Sequence, residues 1–158
     1  MAAPINKTYL DVIDARLKLI TTTNGYATTV KRVERARLKP FKGYDLPAIN
    51  YWPVNLSNNT DQYGMDTRES AIFIEMHSKT RDEPFTDICD VLAKDLVTAL
   101  NRAPAAPKVS DDESIDLGGV VDGFDFQGFE YQIANGQTPF CGILAQFTMK
   151  YTTDLNNM

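Results

Sequence analysis

The chain has 158 residues, of which 43% are apolar and 23% charged. These are the proportions of one soluble globular domain, not of a disordered segment, a disulfide-built miniprotein or two well-cored domains. The formal charge is −5, and no run of about 18 apolar residues is present, which excludes a membrane-spanning helix.

Leu10, Ile13, Leu17 and Ile20 make one apolar stripe, predicting a helix from about Lys7 to Thr23 with Asn6 as its cap and Asn24-Gly25 as its stop. Ala27 to Lys39 reads as a strand. Val30, Arg32, Glu34, Ala36 and Leu38 fall on one face, and Lys31, Val33, Arg35, Arg37 and Lys39 on the other. Neither face is cleanly apolar, so the strand is expected at an edge or against a partner. Pro40 to Pro47 is a loop, and Ala48 to Val54 an aromatic-rich strand whose Pro53 belongs at an edge or a strand end. Leu56 to Asp66 is polar and turn-rich and predicts a mobile loop.

Thr67 to Ser78 alternates Ile72, Ile74 and Met76 with Ala71, Phe73, Glu75 and His77, as in a central strand covered on both sides. Pro84 opens a second helix, with Asp82 as cap. Its stripe is Phe85, Ile88, Leu92, Leu96 and Leu100, with Val91 and Ala99 beside it, and Ala103-Pro ends it. An acidic excursion follows near 103–119. Val120 to Ala134 is a strand, or a strand broken by a bulge at Gln127-Gly128, and Phe140 to Thr152 is the last strand. Its Ile143, Ala145, Phe147, Met149 and Tyr151 are set to pack on helices, while Leu144, Gln146, Thr148 and Lys150 face water. The tail from Asp154 is expected to fray. The order predicts a single α+β domain over 1–158, a mainly antiparallel sheet of about five strands with two helices packed on one face.

Charge is distributed in blocks. Residues 1–103 carry 14 basic and 13 acidic groups, residues 104–158 only 2 basic and 8 acidic. Lys31, Arg32, Arg35, Arg37, Lys39 and Lys42 stand with one anion, Glu34. Asp111, Asp112, Glu113, Asp116, Asp122 and Asp125 stand with no cation. Such patches are either a solvated, uneven surface or a pair that steers association.

Little catalytic chemistry is available. His77, the single histidine, lies mid-strand without a nucleophile motif and reads as an ordinary strand residue. Cys89 and Cys141 are too few for a thiolate metal site, and a reduced, cytosolic history is their default. No phosphate-cradling glycine motif occurs, and the 111–116 run lacks calcium-loop spacing. Asp122 and Asp125 read as solvated acids before they read as an acid–base pair, and a metal-dependent enzyme would have to use them with Glu130. The opening Met1-Ala-Ala-Pro-Ile-Asn-Lys has no signal-peptide core, so secretion is not expected and the glycosylation patterns at Asn55 and Asn58 are idle. The 31–42 cations, with Phe41 and Tyr44 for stacking, allow a nucleic-acid module, but the pI near 4.8 opposes it.

Several stretches carry a resemblance. They are Ile20-Thr-Thr-Thr-Asn-Gly-Tyr-Ala-Thr after the first helix, Arg32-Val-Glu-Arg-Ala-Arg, Leu46-Pro-Ala-Ile-Asn-Tyr-Trp-Pro, Ala71-Ile-Phe-Ile-Glu-Met-His, Asp87-Ile-Cys-Asp-Val-Leu-Ala and Phe147-Thr-Met-Lys-Tyr-Thr-Thr. Their order resembles the tail terminator (tail completion) family of long-tailed bacteriophages, across about residues 8–153, with 104–119 least matched.

The resemblance implies a homo-hexameric ring on the end of the tail tube. Such a ring stops tube polymerisation and offers a surface to head-completion or neck proteins, while genomic DNA passes through its lumen unbound. It implies a virion protein of the head–tail junction, assembled in the host cytoplasm, with no catalytic residues, cofactor or membrane partner. Another head–tail joining, neck or minor tail role is the alternative.

A ring needs two different patches that meet head to tail. The expected pair is Lys31, Arg32, Arg35, Arg37 and Lys39 against Asp111, Asp112, Asp116, Asp122 and Asp125. The competing placement puts the acidic segment in the lumen, where it would repel DNA.

Overall fold

The computed structural model describes residues 5–60, 65–101, 123–133 and 140–154. Helix α1 (Ile5–Lys18) is followed by a 3-10 turn at Thr22–Asn24. Strands β1 (Arg32–Arg35), β2 (Ala48–Thr60) and β3 (Met65–Lys79) precede helix α2 (Phe85–Asn101), and β4 (Gly123–Ile133) and β5 (Phe140–Asp154) close the chain. The sheet order is β1-β2-β3-β5-β4. Only the β1–β2 pair is parallel; the others are antiparallel. This is the α+β architecture that the element order predicts.

Both helices lie on one face because both carry one apolar stripe. Leu10, Ile13, Leu17 and Ile20 are buried, as are Ile88, Leu92, Leu96 and Leu100. They meet Ile49, Tyr51, Ile72, Ile74, Met76, Ile143, Ala145, Phe147, Met149 and Tyr151 from the sheet. On β4, Phe124 stacks on Phe147 at 5.0 Å and Phe126 tilts against it at 5.2 Å. The register shifts between Phe126 and Gly128, where Gly128 takes φ 120. That bulge turns Phe129, Tyr131 and Ile133 to the same face as Phe124 and Phe126, although their numbers are of opposite parity. The expected bulge is thus the device that keeps a long aromatic strand on the core.

Several boundaries differ from the sequence expectation. Asn6 lies inside the first turn of α1 instead of capping it, and Gly25, at φ 91, closes the 3-10 turn and not the helix. The predicted strand 27–39 shrinks to Arg32–Arg35. Its lone β-branched anchor there is Val33, and the chain leaves the sheet at Ala36, whose φ is 52. The turn-rich 56–66 stretch is not a loop at its ends: β2 runs to Thr60 and β3 starts at Met65. Pairing with β5, whose Asp154 stands opposite Met65, gives β3 a partner on its other side and outweighs weak strand propensity.

Pro53 sits mid-strand because Tyr51 already points its carbonyl outward, to Ala36 N–H at 2.7 Å. Pro53, two residues on, faces the same side past the end of β1, where no donor is needed. The Pro84 carbonyl receives the Asp87 and Ile88 amides and so opens α2, the place expected of Asp82. Val91 is exposed, not packed beside the stripe. The central position of β3 holds, but among the described residues helices cover only one of its faces. The excursion expected near 103–119 and the helix stop at Ala103 lie outside the described residues.

Candidate functional site

The second face of the sheet carries no helix among the described residues, and its composition follows from the register. Reading across β2, β3, β5 and β4, one row is Trp52, Phe73, Gln146 and Gly128. The next is Asn50, Glu75, Leu144 and Glu130, and the next Ala48, His77, Gly142 and Gln132. On the other side of the aromatic row lie Val54, Ala71, Thr148 and Asp125, then Glu69 beside Lys150. Trp52 and Phe73 stack at 5.9 Å, both half-buried. The described face is therefore an aromatic and aliphatic strip rimmed by four carboxylates, with two cations, Lys150 opposite Glu69 and Lys79 opposite Phe140.

One end of this face is roofed. After Ala36 the chain folds over β2, held by Asn50. The side-chain carbonyl of Asn50 accepts from Arg37 N–H at 2.8 Å and its amide donates to Arg37 O at 3.0 Å. Residues 37–41 and Phe140 then enclose a cavity of about 670 Å³ over Asn50, Glu75, His77 and Gln132.

The imidazole of His77 lies across Gly142, where a Cβ would come within 2.6 Å of His77 Nδ1 and of the Met76 carbonyl. Desolvation lowers the His77 pKa, and Glu75, 3.8 Å away, only partly offsets it. His77 is thus neutral at pH 7, consistent with the strand-residue reading.

Behind Gly142, its carbonyl accepts from the Cys89 thiol at 3.3 Å. Burial pushes Cys89 up to about 12 and raises Cys141 as well, so both free thiols are buried and poorly nucleophilic.

The six cations of 31–42 divide into two groups. Arg32 pairs with Glu34 at 2.6 Å and with buried Asp45 at 3.1 Å. The carboxyl of Asp45 is held below the usual range by the Lys42 backbone N–H and by Arg32. Arg35 donates to Tyr51 Oη at 3.1 Å and to Asp11 at 2.9 Å, while Tyr51 donates to Asp14 at 3.0 Å. Arg35 thereby ties the edge strand to α1. Arg37 donates to Lys39 O at 2.8 Å, approaches Glu34 at 3.6 Å and lies 4.8 Å over the Phe41 ring. All three arginines work within the fold.

Lys31, Lys39 and Lys42 are exposed and have no acidic partner among the described residues. Lys42 lies 5.8 Å from the Tyr44 ring. Phe41 and Tyr44, named for base stacking, each sit beside a cation of their own chain. Between Arg37 and Lys39, Leu38 is 98% exposed.

Of the anions expected opposite this segment, Asp125 is exposed on β4, at the edge of the sheet farthest from β1. Asp111, Asp112, Asp116 and Asp122 lie outside the described residues. So does part of the Asp122, Asp125 and Glu130 metal reading; among the described residues no three His, Cys, Asp or Glu side chains group as metal ligands.

Sequence reasoning missed the acidic strip. The alternation of β3 placed Phe73, Glu75 and His77 together, but only the β2 and β4 registers bring Trp52, Asp125 and Glu130 beside them. It also placed Leu38 on a strand face, although Pro40 two residues on is the signal that the strand has ended.

No protein-family model matches this chain, and no curated protein matches it.

Proposed function

We propose that this chain is a structural subunit of a head-to-tail ring of the phage tail-terminator type. In that role copies of the chain close into a homo-hexamer on the end of the tail tube. The ring stops further addition of tube subunits and presents its other surface to a head-completion or neck protein. Genomic DNA passes through the lumen without specific binding, and no catalysis or cofactor is involved. The order of short motifs along the chain supports the family.

The observation that carries the ring is the inequality of the two sheet edges. One edge is the four-residue β1 with Lys31 beside it and the loop bearing Leu38, Lys39 and Lys42 beyond it. The other is the eleven-residue β4, with Asp125, Glu130 and the exposed apolar Tyr131 and Ile133. A subunit with unlike patches on opposite edges associates heterologously, and heterologous contacts that close make rings. A long unpaired strand edge also invites a neighbour.

The test is sedimentation of the purified chain with electron microscopy of the same sample. Closed rings of one size are expected. A chain that remains monomeric at high concentration, or that stops at a two-fold dimer, contradicts the reading. A different neck or joining role would keep the ring but fail to block growth of tail-tube subunits in vitro.

A further inference from the structure

We infer that the open sheet face is the seat for a second copy of this chain, occupied by the neighbour's 38–42 loop with Leu38 over the Trp52–Phe73–Leu144 strip. This deepens the ring reading and rests on it. Two independent properties match.

The first is apolar. Leu38 is 98% exposed, next to Arg37, whose backbone N–H and carbonyl are both hydrogen-bonded to Asn50. A large aliphatic side chain left in water is buried readily by a neighbouring molecule. The strip offers a stacked Trp52–Phe73 pair with Leu144 in the next row. At Gly128 nothing lies within 4 Å of where a Cβ would stand, which leaves room beside Gln146. A central aromatic anchor with a polar rim is the usual anatomy of an interface that carries binding energy.

The second is charge. The loop brings Lys39 and Lys42, whose ammonium groups have no acidic partner among the described residues. The strip is rimmed by Glu69, Glu75, Asp125 and Glu130, against Lys150, which stands opposite Glu69, and Lys79 at the roofed end. The three arginines are already paired within the chain, so the lysines are the cations available to a neighbour. The acid-rich 111–116 stretch, of the same sign as the rim, is disfavoured as an occupant by repulsion. The contact is heterologous, since the loop of one copy meets the strip of the next, and it therefore propagates round a ring.

Cross-linking between two variants tests this. Leu38→Cys and Gln146→Cys are made in separate chains, mixed under ring-forming conditions and treated with a short bis-maleimide. The native thiols give little background because they are buried. A covalent dimer in the mixture, absent from either variant alone, is the expected result. Leu38→Asp is then expected to raise the half-dissociation concentration of the ring at least ten-fold. The melting temperature of the dissociated chain should stay unchanged, because in the single chain the side chain touches solvent.

Rings that form without the mixed cross-link, or that Leu38→Asp leaves intact, overturn the docking inference while the ring stands. A cross-link in Leu38→Cys alone indicates a two-fold contact and also overturns it. A wild-type chain that never assembles overturns both.

Discussion

Ala36 holds a left-handed backbone, φ 52, at the point where β1 ends and the loop turns over the open face. That conformation strains any side chain by about 1–2 kcal/mol, and glycine removes the strain at a smaller entropic cost of about 0.5–1 kcal/mol. Ala36→Gly should therefore stabilise the fold by about 0.5–1 kcal/mol in denaturant unfolding; destabilisation would mean that the alanine methyl packs usefully.

His77 gives the pH behaviour. Its folded pKa lies below the free value of 6.5, so the unfolded chain binds the proton more readily. Its contribution to stability is complete above about pH 6.5 and falls as the pH drops through the folded value. Unfolding midpoints between pH 7 and pH 5 should decline more steeply in the wild type than in His77→Gln. Equal slopes would show that His77 is not the group responsible.

Gly142 is constrained from two sides, by His77 and by the Met76 carbonyl. Gly142→Ala should cost about 1–3 kcal/mol, because a backbone oxygen cannot step aside as a side-chain end can.

Among the elements, the two helices and the buried faces of β3 and β5 were legible in the sequence. Their apolar residues recur at strict helical or alternate spacing, and burial enforces that spacing. What was not legible depends on partners distant in sequence. Thr60 and Met65 become strand ends because β3 pairs with both β2 and β5, which turn-rich residues alone do not announce. Conversely, the regular alternation of 27–39 overstated β1. Val30 and Val33 reach the core periphery there, and the arginines that looked like a binding face are drawn back to Glu34, Asp45, Asp11 and Tyr51.

Arg35→Ala should lower stability slightly, since it removes the bonds to Tyr51 and to the exposed Asp11, so a ring weakened by changing Arg35 would not isolate an interface. Lys39→Glu with Lys42→Glu is the cleaner probe. Asn50→Ala, which removes both ties to Arg37, should loosen the 37–41 loop at a cost of about 1–3 kcal/mol.

At the scale of the whole molecule, a helix-backed core joins a sheet whose open face and two edges, among the described residues, differ in charge and in apolar character. Unlike patches of this kind fit the proposed head-to-tail repetition. Because lysines and carboxylates meet at the rim of the inferred contact, the half-dissociation concentration of the ring should rise several-fold as salt shortens the reach of charge from about 10 Å at 0.1 M to about 3 Å at 1 M. Assembly that salt leaves unchanged would place the apolar strip alone in control.

The central claim, a ring at the junction of phage head and tail, is tested most directly by antibody-gold labelling of intact particles from the source lysate, viewed by electron microscopy. Gold is expected at the head–tail junction of every labelled particle. Gold at the distal tip, or none on particles although the antibody recognises the denatured chain, would contradict it.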